Sequence, residues 1–346
     1  MNNNLELIKE LASIQAVIIM KKITLMMHSF AMCMILTLPA AAQIAEEQEK
    51  VSEKIDILVS ILPQAYFAER IGGERIKVEV LVLPGQSPAT YQPTPRQLRS
   101  LARAKVFFSI GVPFENTLLL KIKASMPDLP VVDTRQGITL REFDEPINHV
   151  ADDTVKEKKE VKQQGSGKQQ QKVDEHDHDH TGDDPHIWMA PLLVKRQAQT
   201  MRDTLSRLDP AGKASYAANY QKLAAELDQL HERIKAQLKP VRGQAILVFH
   251  PSFGYFTDAY GMRQLVVESE GKAPSPRQLS RLIAEVKKRK IKTVFVQPQF
   301  DQSSARVIAA AIGGNVESLD PLSKDYPANL EQIAKKIRKA LERKTP

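Results

Sequence analysis

A chain of 346 residues, 42% hydrophobic and 26% charged, holds material for about two ordinary domains, which excludes a disulfide miniprotein, a fibre or a wholly disordered polymer. Its 49 Lys and Arg against 41 Asp and Glu leave +8, a balance that suits nucleic acid or anionic lipid but selects neither by itself. A single Cys excludes a disulfide framework and any multi-cysteine zinc site, so metal chemistry falls to the eight His and to Asp and Glu.

The N-terminus reads as an export signal. Met20 is followed by Lys21-Lys22, then by an apolar run through Leu38, then by Pro39-Ala40-Ala41-Ala42. Basic, apolar and small residues in that order mark a secretory signal peptide cleaved after Ala42. The run is short for the roughly 20 residues of a membrane span and is interrupted by His28 and Ser29. Met32 precedes Cys33 where a lipoprotein signal wants a small residue, so no lipid anchor is expected. Because the signal begins naturally at Met20, residues 1–19 read as an upstream extension, and residues 1–42 are not expected to enter the fold.

From Lys54 onward, short β-branched runs alternate with amphipathic ones. Ile55 to Leu62 reads as a strand, Gln64 to Ile71 as a helix ending at Gly72-Gly73, Ile76 to Leu83 as a strand and Arg96 to Ala104 as a helix. Val106 to Ile110 is then a strand, Glu115 to Ser125 a helix and Val131-Val132 a short strand. Residues 152–184 break this pattern. Their only aliphatic side chains are Val155, Val161 and Val173, too few to offset the entropy of ordering, so the segment reads as a disordered loop. It ends in Glu175-His176-Asp177-His178-Asp179-His180.

Next comes a long amphipathic helix. From Ala211 to Leu238, Tyr216, Tyr220, Leu223, Leu227, Leu230, Ile234 and Leu238 recur at spacings of three and four, one apolar stripe on one helix. Asp209-Pro210 opens it and Pro240 follows it. The second half repeats the first, with strands at Ala245–Phe249, Leu265–Glu268, Thr293–Gln297 and Val316–Leu319 and helices at Pro276–Lys290, Ser303–Ile312 and Asn329–Arg343. The expected fold class is therefore α/β, two doubly wound lobes joined by one long rigid helix. The boundaries are 54–210 for the first lobe, including the His/Asp-rich loop 152–184, then 211–240 for the linking helix and 241–346 for the second lobe.

Imidazole and carboxylate together are ligands for borderline divalent metals, zinc above all. His176, His178 and His180 form an accessory metal-capturing tract, although a flexible loop holds ligands weakly. His186 and His250 stand on firmer ground. His186 lies in Asp184-Pro185-His186-Ile187-Trp188-Met189-Ala190-Pro191, and His250 follows a strand at the carboxyl edge, where open parallel sheets bind ligands. Asp320 follows another strand at the same edge.

These blocks resemble those of the metal-binding proteins of bacterial zinc and manganese ABC importers, the cluster A-I or zinc-uptake solute-binding family. The resemblance spans nearly the whole mature chain. It is carried by the run Pro84 to Pro95, by Asp184 to Pro191, by Phe249-His250 leading into Gly254-Tyr255-Phe256, by Pro274-Ser275-Pro276 and by Leu319-Asp320-Pro321-Leu322. It implies a monomeric periplasmic protein that captures Zn2+, less readily Mn2+, in the cleft between its lobes. The metal then passes to an ABC permease driven by a cytoplasmic ATPase, with peripheral contact at the inner membrane. Zn2+ is then a transported ligand and not a catalytic cofactor, and the implied ligands are His186, His250 and Asp320.

One departure stands out. The family's first ligand is the His of a Pro-His-x-Tyr motif, and here Pro88-Ala89-Thr90-Tyr91 puts a methyl group in its place. Ala89 is thus a vacant ligand position, open to water, to Gln86 or Gln92, or to a His of the tract. Three ligands plus water also describe a zinc hydrolase, for which Glu268 or Glu270 would serve as base. A periplasmic metal chaperone is a further alternative. His250-Pro251-Ser252-Phe253-Gly254 half-matches a nucleophile elbow but starts with His instead of Gly. The basic runs Lys287-Lys288-Arg289-Lys290 and Lys335-Lys336 lie on amphipathic helices without aromatic platforms, so nucleic acid is not expected as a partner.

Overall fold

The computed structural model describes residues 20–22, 54–144, 146–147, 182–268 and 274–342. The apolar run with Cys33, together with His149, His176, His178, His180 and Glu270, lies outside the described residues.

Two parallel four-stranded sheets carry the fold. In the first lobe, β1 (Ile55–Val59), β2 (Ile76–Val80), β3 (Val106–Ser109) and β4 (Val131–Asp133) lie in the order β2-β1-β3-β4. In the second, β5 (Ala245–Val248), β6 (Arg263–Val266), β7 (Thr293–Val296) and β8 (Asn315–Ser318) repeat that order as β6-β5-β7-β8. The central strands are buried throughout or nearly so, as continuous Val, Ile, Leu and Phe runs require when both faces of a parallel sheet are covered. In each sheet the chain order reverses direction at the first strand, which opens a crevice beyond the carboxyl ends.

In the first lobe the helices are α1 (Leu62–Gly72), α2 (Pro95–Arg103) and α3 (Pro113–Ser125), followed by α4 (Pro191–Leu208) and α5 (Lys213–Leu238). The second lobe adds α6 (Gly254–Ala259), α7 (Pro276–Lys288), α8 (Ser303–Ala311) and α9 (Tyr326–Glu342). The strand expected over 55–62 ends early because the Ser60 and Ile61 amides turn to Gln64 Oε1, at 3.0 and 3.3 Å, and start α1. Proline in the first turn of α1 and α2 draws both starts forward of the sequence estimate. Thr94 with Gln97, and Ser275 with Gln278, form reciprocal capping boxes that fix the starts of α2 and α7. Gly73 closes α1 at φ 55°, a backbone that side chains with a Cβ rarely adopt.

Helix α5, with 26 residues, is about 39 Å long. It buries Tyr216, Leu223, Leu227, Leu230, Ile234 and Leu238, and packs against α1, α4 and α9. One hydrophobic core consequently runs from β1 and β3 through α4 and α5 to β5 and α9, while a second cluster fills the far side of the second lobe behind α7 and α8. Phe67 of α1 meets Tyr326 of α9 edge to face at 4.8 Å. Among the described residues no helix is long and apolar enough to cross a membrane. The basic run 287–290 is exposed at the end of α7, where cations oppose the helix dipole.

Candidate metal site

His186 occupies the residue before a short 3-10 turn, Ile187–Met189, that leads into α4. Its loop is fastened from several sides. Asp184 is fully buried; its Oδ1 accepts from the His186 amide at 2.9 Å and lies 2.7 Å from His186 Nδ1. Arg141 donates to Asp184 Oδ2 at 3.2 Å, and Tyr255 Oη donates to the Asp184 carbonyl at 2.8 Å. Burial pushes the Tyr255 hydroxyl up to about 12, which keeps it a donor. A Cβ at Gly254 would stand 1.5 Å from Arg141 Nη1, so a larger residue there would displace the guanidinium from Asp184.

His250 follows β5, and the parallel register brings the end of β6 beside it. The Glu268 amide donates to the Phe249 carbonyl at 3.1 Å, and Glu268 Oε1 lies 2.6 Å from His250 Nδ1. Gln297, after β7, donates to the His250 carbonyl and to Ser252 Oγ, both at 2.8 Å. Phe300 stacks on the His250 ring at 4.8 Å.

The rings of His186 and His250 are 5.3 Å apart, centroid to centroid. Each Nδ1 faces a buried carboxylate, a contact that favours the tautomer with its proton on Nδ1 and the lone pair on Nε2. This is the arrangement that orients an imidazole as a metal ligand and raises its basicity. Burial pushes the His186 imidazolium below its ordinary value, against the pull of Asp184. Both rings line a cavity of about 350 Å³ bounded by Ala89, Asn116, Trp188, Gln299 and Phe300 among others.

The expected residues therefore divide. His186 and His250 come together, and Ala89 borders the same cavity. Asp320 does not line it; its Oδ1 accepts from Gln299 Nε2 at 2.8 Å and from the Leu322 amide at 2.9 Å, so it joins the cavity wall through Gln299. Among the described residues no group of three or more His, Cys, Asp and Glu is arranged to hold a metal. Gln86 and Gln92 are absent from the cavity wall as well. Ser252, the nucleophile of the half-elbow, is fully buried and bound by the Gln297 amide. His231 stacks on Tyr260 at 5.3 Å within the linking-helix packing.

Sequence reasoning passed over the roles of Asp184, Glu268, Gln299 and Arg141. Asp184 had a local signal, two residues before His186 in an Asx turn. Glu268 had none, since only the β5–β6 register places it on His250.

Two parallel-sheet lobes packed on one helix, with carboxylate-backed imidazoles at the edge of a cavity, define a solute-binding protein built for a divalent metal. The family described as zinc-uptake complex component A, periplasmic, matches residues 57–340, and the chain belongs to it. It is 30% identical to the high-affinity zinc uptake system protein ZnuA of Yersinia pestis over 284 residues, 77% of this chain and 82% of that one. A crystal structure of ZnuA overlays with a TM-score of 0.70 at 38% identity, over 83% of this chain and 99% of the other. A ZnuA deletion mutant with zinc bound overlays at 0.71 and 37% identity, over 84% and 98%.

Proposed function

We propose that this protein captures Zn2+ through Nε2 of His186 and Nε2 of His250 and delivers it to an ABC-type permease for uptake from the periplasm. The observation that carries the reading is the imidazole pair, 5.3 Å apart, with a buried carboxylate on each Nδ1. Two imidazoles favour zinc over manganese, whose preference is for harder oxygen donors. Asp320 joins as the carboxylate ligand by releasing Gln299, and the tract with His176, His178 and His180 serves as a collector that feeds the cleft. The vacant position at Ala89 leaves the shell short of the four ligands zinc usually takes in a closed site.

The protein works as a monomer, with peripheral contact at the inner membrane when it meets the permease. A transport component is favoured over a hydrolase by the family match, and Glu268, one of the two carboxylates offered as a base, is engaged with His250. Competitive titration of zinc against a chromophoric chelator tests the site. His250→Ala should lose most of the zinc affinity with its thermal midpoint kept, and a variant that bound zinc as tightly as the parent would end the His-based reading.

A further inference from the structure

We propose that the cleft takes zinc as a complex with a small α-amino carboxylate, whose nitrogen and oxygen supply donors that the protein does not. The proposal rests on the zinc reading above and names the chemical form of the cargo.

Two imidazoles, His186 and His250, and one carboxylate, Asp183, line the cavity, but among the described residues no three His, Cys, Asp or Glu are grouped to hold a metal; Ala89 offers a methyl group, and Asp320 Oδ1 is held by Gln299 and Leu322. Zinc bound by the grouped imidazole pair is left with two protein donors, and reaching its usual four from the protein would need both Asp183 and Asp320 to turn onto it.

Cavity size points the same way. A cavity of about 350 Å³ exceeds what a bare ion with one or two waters fills, since a water occupies about 30 Å³ of the liquid. It falls at the small end of the range for organic ligands, roughly 300–1,000 Å³.

The lining matches a molecule with an apolar body and a polar head. Pro88, Val112, Trp188 and Phe300 provide apolar surface around the imidazoles. Gln299 Oε1 is buried with no hydrogen-bond partner, an acceptor ready for an amino N–H, and Asn116 on α3 adds an amide to the lining. An α-amino carboxylate closes a five-membered chelate ring on zinc through N and O. With the two imidazoles it completes four-coordination, and five-coordination if Asp320 also binds.

The test titrates zinc into the full chain at buffered free metal, with and without L-histidine. Native mass spectrometry and the visible spectrum of a cobalt-loaded sample follow the same titration. The expected result is a zinc Kd lowered roughly 10-fold or more by histidine, about 1.4 kcal/mol of coupling. A ternary mass of protein, zinc and histidine in equal numbers should appear, and histidine should change the cobalt spectrum. Asn116→Leu should reduce the histidine effect. An unchanged Kd and spectrum with histidine, while binding still requires His250, would overturn the chelate proposal and leave the zinc reading standing. Tight binding of zinc alone that disappears on deleting residues 175–181 would also overturn it, by making the tract the missing donor. Zinc binding indifferent to His250→Ala would overturn both readings.

Discussion

Glu268, 2% exposed, sets its Oε1 2.6 Å from Nδ1 of His250, although 18 residues separate them in the chain. The carboxylate fixes the tautomer and makes Nε2 a better donor, while its other oxygen is buried without a partner. Glu268→Gln keeps the shape and removes the charge. Zinc affinity should fall about 10-fold or more, at the scale seen when a ligand's carboxylate partner is lost. A competition titration measures it, and parent-like affinity in a folded variant would remove Glu268 from the site.

Filling the vacant position should work in the other direction. Ala89 borders the cavity that holds both imidazoles, so Ala89→His adds a third nitrogen donor. Zinc binding in the absence of any chelator should tighten by roughly 10-fold or more, as each 1.4 kcal/mol gained by an added ligand would give. No tightening would mean that the position does not face the metal.

His186 carries a pH signature in the metal-free protein. Burial lowers its pKa from the ordinary 6.5, so below that pH the unfolded chain binds a proton that the folded one resists. Stability is then fully present above 6.5 and falls as pH drops below it, by at most about 1.4 kcal/mol per pH unit for one group. Urea midpoints in chelator-treated samples between pH 7.5 and 5.5 should fall more for the parent than for His186→Asn. Parallel curves would contradict the lowered pKa.

Asp209 should show the acid-side counterpart. Arg75, just past α1, binds it at 2.6 and 2.9 Å and Tyr216 of α5 donates to it at 2.6 Å, which holds its pKa down to about 2. A depressed carboxylate contributes stability above its unfolded pKa of 3.8 and loses it as pH falls through about 2. Water screens part of this pair, so Asp209→Asn should cost about 1 kcal/mol at pH 7. The gap between parent and variant should narrow from pH 4 to pH 2, as read from denaturant midpoints. A gap that did not change with pH would assign the cost to packing.

Tyr326 of α9 donates to the Trp188 carbonyl at 2.7 Å, and Trp188 Nε1 donates to the Pro321 carbonyl at 2.8 Å. This clasp joins the His186 loop to the segment carrying Asp320. Tyr326→Phe leaves a buried carbonyl short of its donor and should cost about 1–3 kcal/mol. A calorimetric midpoint within error of the parent would show that the hydroxyl contributes nothing.

The sequence alone determined the two α/β lobes, because β-branched runs alternating with amphipathic ones bury well only as parallel sheets under helices. The α5 stripe was legible for the same reason: Tyr216 to Leu238 at spacings of three and four form one apolar face. The motifs around His186 and His250 also stand in the one-dimensional pattern, as does the methyl group at Ala89. Short helix α6 had too few residues for a periodic signal.

Only the tertiary structure decided which donors meet. Parallel register sets Glu268 on His250, the Arg141, Asp184 and Tyr255 cluster aims His186, and Gln299 diverts Asp320 from the cavity wall. Residue types and spacing name candidate ligands, whereas coordination depends on direction and distance between side chains far apart in the chain, and packing sets both.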